Sequence, residues 1–179
     1  MKRVLRYLKG TLDQKLTYDR NISENALYGY VDADWGSDKQ DRKSTTGYVY
    51  YIYGCLCVWS SKKQGSVSLS STEAEYVALS EACTEVIWIK RILQEMGLKI
   101  SNAIEIFEDN QSCINLTKNA VLHKRTKHID IRHNFVRDLV EEKEVIVKYI
   151  QSEHQVADLM TKALSRSRFQ KLVGKLGLH

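Results

Sequence analysis

The chain has 179 residues, 43% of them apolar and 27% charged, with a formal net charge of +5. That composition excludes a disordered tail, a coiled coil and a collagen-like chain, and the length favours one domain with a short appendage. No apolar run approaches the ~18 residues that cross a bilayer, and the opening MKRVLRYLKG has no uncharged apolar core of the kind a secretory signal carries. The positive excess suits a polyanionic partner without demanding one. Cys55, Cys57, Cys83 and Cys113 form no CxxC pair, so they read as reduced, mostly core residues in an intracellular setting.

In chain order, Val4, Leu5, Tyr7 and Leu8 fit a short basic helix that ends at Gly10. Ala26–Asp34 alternates as a strand, with Leu27, Gly29 and Val31 on one face and Tyr28, Tyr30, Asp32 and Asp34 on the other. Gly47–Tyr53 and Cys55–Trp59 predict a hairpin broken at Gly54, after which 60–66 reads as a loop. Thr72–Met96 is the clearest helix and is closed by Gly97. Then come a strand at Ala103–Asp109, helices at Asn110–Lys118 and Ile129–Glu142, and a strand at Glu144–Ile150. A helix at Gln155–Leu164 and a basic amphipathic segment at Phe169–Leu176 complete the chain. Three antiparallel strands followed by alternating units predict an α/β fold, a five-stranded mixed sheet flanked by helices.

Four carboxylates fall at the ends of these elements. Asp32 is near the end of the first strand, Asp109 ends the strand after the long helix, and Asp158 lies in the first turn of a late helix. The long helix offers Glu73 and Glu75. Its apolar stripe runs through Ala78, Leu79, Ala82, Val86, Ile89 and Leu93; Glu75 is in line with it, whereas Glu73 lies about 160° away. A carboxylate on a core-facing stripe is costly without a cation or a donor, so Glu75 needs the special explanation. Each acid has a structural reading as well. Ser70-x-x-Glu73 or Thr72-x-x-Glu75 forms a capping box, Asp109 caps the next helix, and Asp158 complements a helix dipole. Together, however, four acids converging on one sheet rim repel one another unless they hold metal. Oxygen ligands favour Mg2+ or Mn2+ over zinc, and two such ions ~4 Å apart serve phosphodiester cleavage.

Positive charge gathers in two stretches. One holds Lys124, Arg125, Lys127, Arg132 and Arg137 against a single acid, Asp130; the other holds Lys162, Arg166, Arg168, Lys171 and Lys175 with none. Each is either a phosphate-gripping surface or a solvated face. Ser71, Thr72, Asn110 and Gln111 lie beside the proposed acids as donors to phosphate or sugar.

The strings YVDADW (30–35), RKSTTGY (42–48), SSK (60–62), LSSTEAEYVAL (69–79), EDNQS (108–112), RTKHIDIR (125–132) and ADLMTK (157–162) occur in this order, with a closing LGL at 176–178. In this the chain resembles the ribonuclease H domain of copia-type LTR retrotransposon Pol polyproteins. VLRYLKGT (4–11) resembles the end of the reverse transcriptase region. The resemblance implies a ribonuclease H-like fold at 26–165, a connector at 1–25 and a basic C-terminal segment at 166–179. It implies a metal-dependent endonuclease that hydrolyses the RNA strand of RNA–DNA hybrids, with Asp32, Glu75, Asp109 and Asp158 as catalytic acids binding two Mg2+ or Mn2+ ions. Substrate contacts would come from Ser71, Thr72, Asn110, Gln111, Lys124, Arg125 and Lys127. The implied partner is the reverse transcriptase domain of the same polyprotein, and the implied setting is the cytoplasm, a virus-like particle or the nucleus, without a membrane. Cellular ribonucleases H carry a mobile histidine before their last acid; His154 is the nearest match, at a shorter spacing. Prolines common in the family near Ala120, Ala163 and Ser165 are missing. Two alternatives remain at this level: a strand-transfer enzyme on a related fold, and a silent nucleic-acid-binding remnant or subdomain that needs its polymerase partner.

Overall fold

The computed structural model describes residues 2–18, 25–100, 103–118 and 127–179, with 127–130 by backbone alone. Helix α1 (Lys2–Gly10) precedes strands β1 (Leu27–Asp34), β2 (Thr45–Ile52) and β3 (Cys55–Lys63). Helix α2 (Ser71–Glu95), strand β4 (Ile104–Glu108), helices α3 (Gln111–Lys118) and α4 (Lys127–Glu141) and strand β5 (Val145–Tyr149) follow. Helices α5 (Asp158–Thr161) and α6 (Arg166–Lys175) end the chain. The sheet order is β3-β2-β1-β4-β5: β1–β2 and β2–β3 are antiparallel, β1–β4 and β4–β5 parallel. This is the expected mixed sheet with its antiparallel strands first.

Helices cover both faces. On one, α2 lays Ala78, Leu79, Ala82, Val86 and Ile89 against Leu27, Val31, Tyr50, Ile104 and Ile106, with Val136 of α4 beside them. The apolar stripe read at helical spacing is this buried stripe, and its burial is the main favourable term holding α2 to the sheet. On the other face, Val49, Tyr51, Leu56, Val156 and Leu176 form a smaller cluster, joined by Tyr28, Tyr30, Leu159 and Met160. Alternation along β1 divides its side chains between the two clusters, as a period of two requires.

Two elements differ most from expectation. Strand β3 runs on to Lys63 through residues read as loop, because Ser60–Lys63 pair with Tyr48–Thr45 of β2. The single helix expected at Gln155–Leu164 is instead a 3-10 turn at Ser152–His154 and the four-residue α5. The cause is Gln155, whose backbone is extended and whose side chain is spent on the sheet: Nε2 donates to Val31 O at 2.9 Å and to Phe107 O at 3.4 Å.

The four cysteines form no disulfide; Cys83 and Cys113 are buried and Cys57 is exposed. The N-terminal connector is tied to the C-terminus, Leu16 pairing with Leu178 and Thr17 N donating to Gly177 O at 2.9 Å. Helix α1 buries none of its residues, and Val4, Leu5, Tyr7 and Leu8 are each more than half exposed.

Candidate active site

Parallel strands β1 and β4 stay in register through Tyr30–Phe107, and each reaches an acid two residues later, Asp32 and Asp109. This is the carboxyl end of the parallel pair, where open α/β sheets place their ligands. Gln155 spans the two strands just before that point through its contacts with Val31 and Phe107.

Helix α2 delivers the third acid. Ser70 caps it by accepting from Glu73 N at 3.2 Å, and Glu73 Oε2 accepts from Leu69 N at 2.9 Å. Glu73 is thus spent on the helix terminus. The start of α2 is pinned to β2 by buried Gln64, whose Nε2 donates to Thr46 Oγ1 at 3.1 Å and to Ala74 O at 2.9 Å. Glu75, the next residue, is only 6% exposed.

One carboxylate oxygen from each of Asp32, Glu75 and Asp109 lies within 4.8 Å of the others. Burial pushes the Glu75 carboxyl up to about 11, the charges of Glu108, Asp32 and Asp109 adding to it and Lys162 opposing it. Burial also raises Asp32, against the pull of Lys162 and Thr161. Glu75 Oε2 is buried without a hydrogen-bond partner among the described residues. A buried carboxylate oxygen lacking a donor, next to two further acids, is poorly satisfied by protein alone and well matched to a hard divalent cation. The residues present therefore fit a hard divalent cation, which Asp32, Glu75 and Asp109 would hold.

Glu108 was missed from sequence. It is fully buried, its Oε1 accepts from Asn110 N at 2.9 Å, and its Oε2 has no partner among the described residues. Burial lifts its carboxyl well above the ordinary range. The signal was available, since alternation from Ile104 and Ile106 puts Glu108 on the core-facing side of β4.

Asp158 stands apart from the trio. It is buried at the start of α5, where Oδ1 accepts from Lys162 Nζ at 2.8 Å and Oδ2 is paired with Arg168. The same Lys162 Nζ reaches Asp32 Oδ1 at 2.9 Å, and Thr161 donates to Asp32 Oδ2. Burial works against the Lys162 charge, but Asp32 and Asp158 more than offset it and hold the ammonium above the usual lysine range. Lys162 and Arg168, read from sequence as part of a basic surface, thus turn inward to the acids.

Of the expected substrate contacts, Ser71 and Thr72 open α2 beside Glu75, and Gln111 opens α3, where it is exposed. Asn110 is spent in part on a cap, its Oδ1 accepting from Cys113 N at 3.0 Å. Lys124 and Arg125 lie outside the described residues; Lys127 begins α4, and its side chain lies outside them too. His154 sits in the 3-10 turn with Nε2 3.0 Å from Glu153 Oε1.

No protein-family model matches the chain. Over 179 residues it is 41% identical to the retrovirus-related Pol polyprotein from transposon TNT 1-94 of Nicotiana tabacum, covering 100% of this chain and 13% of that polyprotein. The fold matches LC11-RNase H1 in complex with an RNA/DNA hybrid at a TM-score of 0.56 and 15% identity, over 75% of this chain and 93% of that one. It also matches the foamy viral protease-reverse transcriptase in complex with an RNA/DNA hybrid, at a TM-score of 0.56 and 18% identity, over 88% of this chain and 22% of that one. The chain thus has a ribonuclease H-like fold and is homologous to a segment of the retrovirus-related Pol polyproteins of copia-type transposons.

Proposed function

We propose that the chain is a metal-dependent endonuclease that hydrolyses the RNA strand of RNA–DNA hybrids during retrotransposon reverse transcription. The observation that carries this reading is the approach of Asp32, Glu75 and Asp109 within 4.8 Å on a ribonuclease H-like fold. Two solved neighbours hold RNA/DNA hybrid, which supports the same substrate here.

In this reading Asp32, Glu75 and Asp109 would hold one ion, and Asp32 with Asp158 would hold a second. Bound there, Mg2+ or Mn2+ supplies a Lewis acid for the scissile phosphate and lowers the pKa of water. The chain itself orients the ligands. Gln155 aligns the ends of β1 and β4, Gln64 fixes the turn of α2 that carries Glu75, and Arg168 steadies Asp158. Ser71, Thr72, Asn110 and Gln111 border the site as donors to phosphate or the 2′-hydroxyl, with Lys124, Arg125 and Lys127 as phosphate contacts. The likeness to retrotransposon polyproteins supports an intracellular setting.

The deciding test is cleavage of hybrid against single-stranded RNA with Mg2+ or Mn2+. Hybrid should be cut and free RNA spared. Asp109→Asn should lower the rate about 100-fold or more while circular dichroism stays unchanged, because a metal ligand contributes several kcal/mol to the transition state. Equal cutting of both substrates, or full activity in Asp109→Asn, refutes the assignment.

A second reading has one observation in its favour. The apolar side chains Val4, Leu5 and Leu8 of α1 are each more than half exposed, although Tyr7 meets the ring of Phe169 edge-on, which suits a subdomain that acts with the reverse transcriptase portion of its polyprotein. Hybrid cleavage that appears only when the preceding polyprotein segment is joined to the chain would select it.

A further inference from the structure

The acids of the site are not equally available. Glu75 keeps one buried oxygen without a partner among the described residues. Both oxygens of Asp158, by contrast, are taken by cationic side chains, Oδ1 by Lys162 and Oδ2 by Arg168. Asp32 shares Lys162 through Oδ1 and takes the Thr161 hydroxyl at Oδ2. A single ammonium therefore lies 2.9 Å from Asp32 Oδ1 and 2.8 Å from Asp158 Oδ1. A hard cation shared by those two acids would need the same two oxygens.

On the nuclease reading above, we propose that Lys162 competes with the second divalent cation. Its ammonium bridges Asp32 and Asp158 in the resting domain. One ion then binds at Asp32, Glu75 and Asp109, and the second enters only when Lys162 swings out.

The surroundings suit such an exchange. Lys162 is at the last turn of α5, where the backbone turns extended, and a third of its side chain is exposed. A flexible four-carbon stem can carry the charge into water. When it leaves, neither acid loses its place. Arg168 still holds Asp158 through Oδ2 and Thr161 still holds Asp32 through Oδ2, so departure of one group frees both Oδ1 atoms together. While present, the ammonium relieves the repulsion between two buried carboxylates.

The test is Mn2+ titration of the 179-residue chain, read by the electron paramagnetic resonance of free Mn2+. Wild type and Lys162→Arg should each bind one ion tightly. Lys162→Met, which keeps the stem and removes the charge, should bind a second ion at least about ten-fold more tightly than wild type, the gain expected when one charge-assisted contact no longer competes. Equal stoichiometry and affinity in wild type and Lys162→Met overturns the competitor role and leaves the first site intact. Absence of binding in both removes the metal reading and this proposal with it. Should Lys162→Met not fold, the wild-type chain decides through the side-chain 15N signal of Lys162. That signal should be protected from solvent exchange without metal and lose its protection at high Mg2+. Protection that persists at saturating Mg2+ overturns the proposal.

Discussion

Gly47 stands directly opposite Asp32 across the β1–β2 ladder, and α5 packs against the space where a side chain at residue 47 would be. A Cβ there would lie 2.5 Å from Thr161 Cγ2 and 2.8 Å from Met160 Cβ. Those distances are shorter than side chains tolerate, so the close seating of α5, and with it the reach of Thr161 and Lys162 to Asp32, depends on glycine.

Gly47→Ala should accordingly cost about 1–3 kcal/mol, the usual penalty of overpacking. Urea denaturation measures it. The same variant should weaken binding of the first Mn2+ ion, because Asp32 loses the Thr161 hydroxyl that positions it. Unchanged stability together with unchanged metal affinity would mean that α5 yields freely and positions nothing.

Glu75 supplies a pH prediction. Its folded carboxyl is raised to about 11 from an ordinary value of 4.5, chiefly by burial. A group whose pKa is raised on folding favours the folded state fully below the unfolded value. That contribution is lost as pH climbs from 4.5 toward the folded value. The metal-free chain should therefore lose stability between about pH 5 and pH 9. Glu75→Gln should flatten that slope and raise stability at pH 8 by about 1–3 kcal/mol, or roughly 2–10 °C in Tm. Mg2+ should stabilise the wild type and not the variant, since it binds only the native carboxylate cluster. Thermal melts at both pH values, with and without Mg2+, read all of this. A wild-type melt independent of pH and Mg2+ would rule it out.

Gln155 is fully buried and holds both strands that carry the acids. Gln155→Leu should destabilise the domain by about 2–4 kcal/mol, since the carbonyls of Val31 and Phe107 lose a donor where water does not reach. Hybrid cleavage should fall further than stability alone explains, because the ends of β1 and β4 are then free to separate. Cleavage at the wild-type rate under conditions where the variant is fully folded would show that Gln155 serves stability only.

What could be read from the chain alone was what local periodicity encodes. A period of two placed Asp32 with Tyr28 and Tyr30, and a period of 3.6 placed Glu75, rather than Glu73, on the buried stripe of α2. Glu73 instead turns back to accept from Leu69 N, beside the Ser70 cap of that helix. The order of strands and helices indicated the mixed sheet, because alternation and helix length are properties of neighbouring residues. The same alternation in β4 also carried Glu108, overlooked beside Asp109.

The tertiary structure alone decided which cation meets which acid. Lys162 and Arg168 sit in a stretch with no acids, which locally reads as a solvated basic face. Yet Lys162 pairs with Asp32, 130 residues away, once β1–β2 register and the bare backbone at Gly47 seat α5 against the sheet. The helix break at Gln155 has the same origin, its amide being drawn to Val31, 124 residues away. Periodicity reports on burial over a few residues. Charge pairing and buried hydrogen bonds depend on distances that exist only after the sheet has closed.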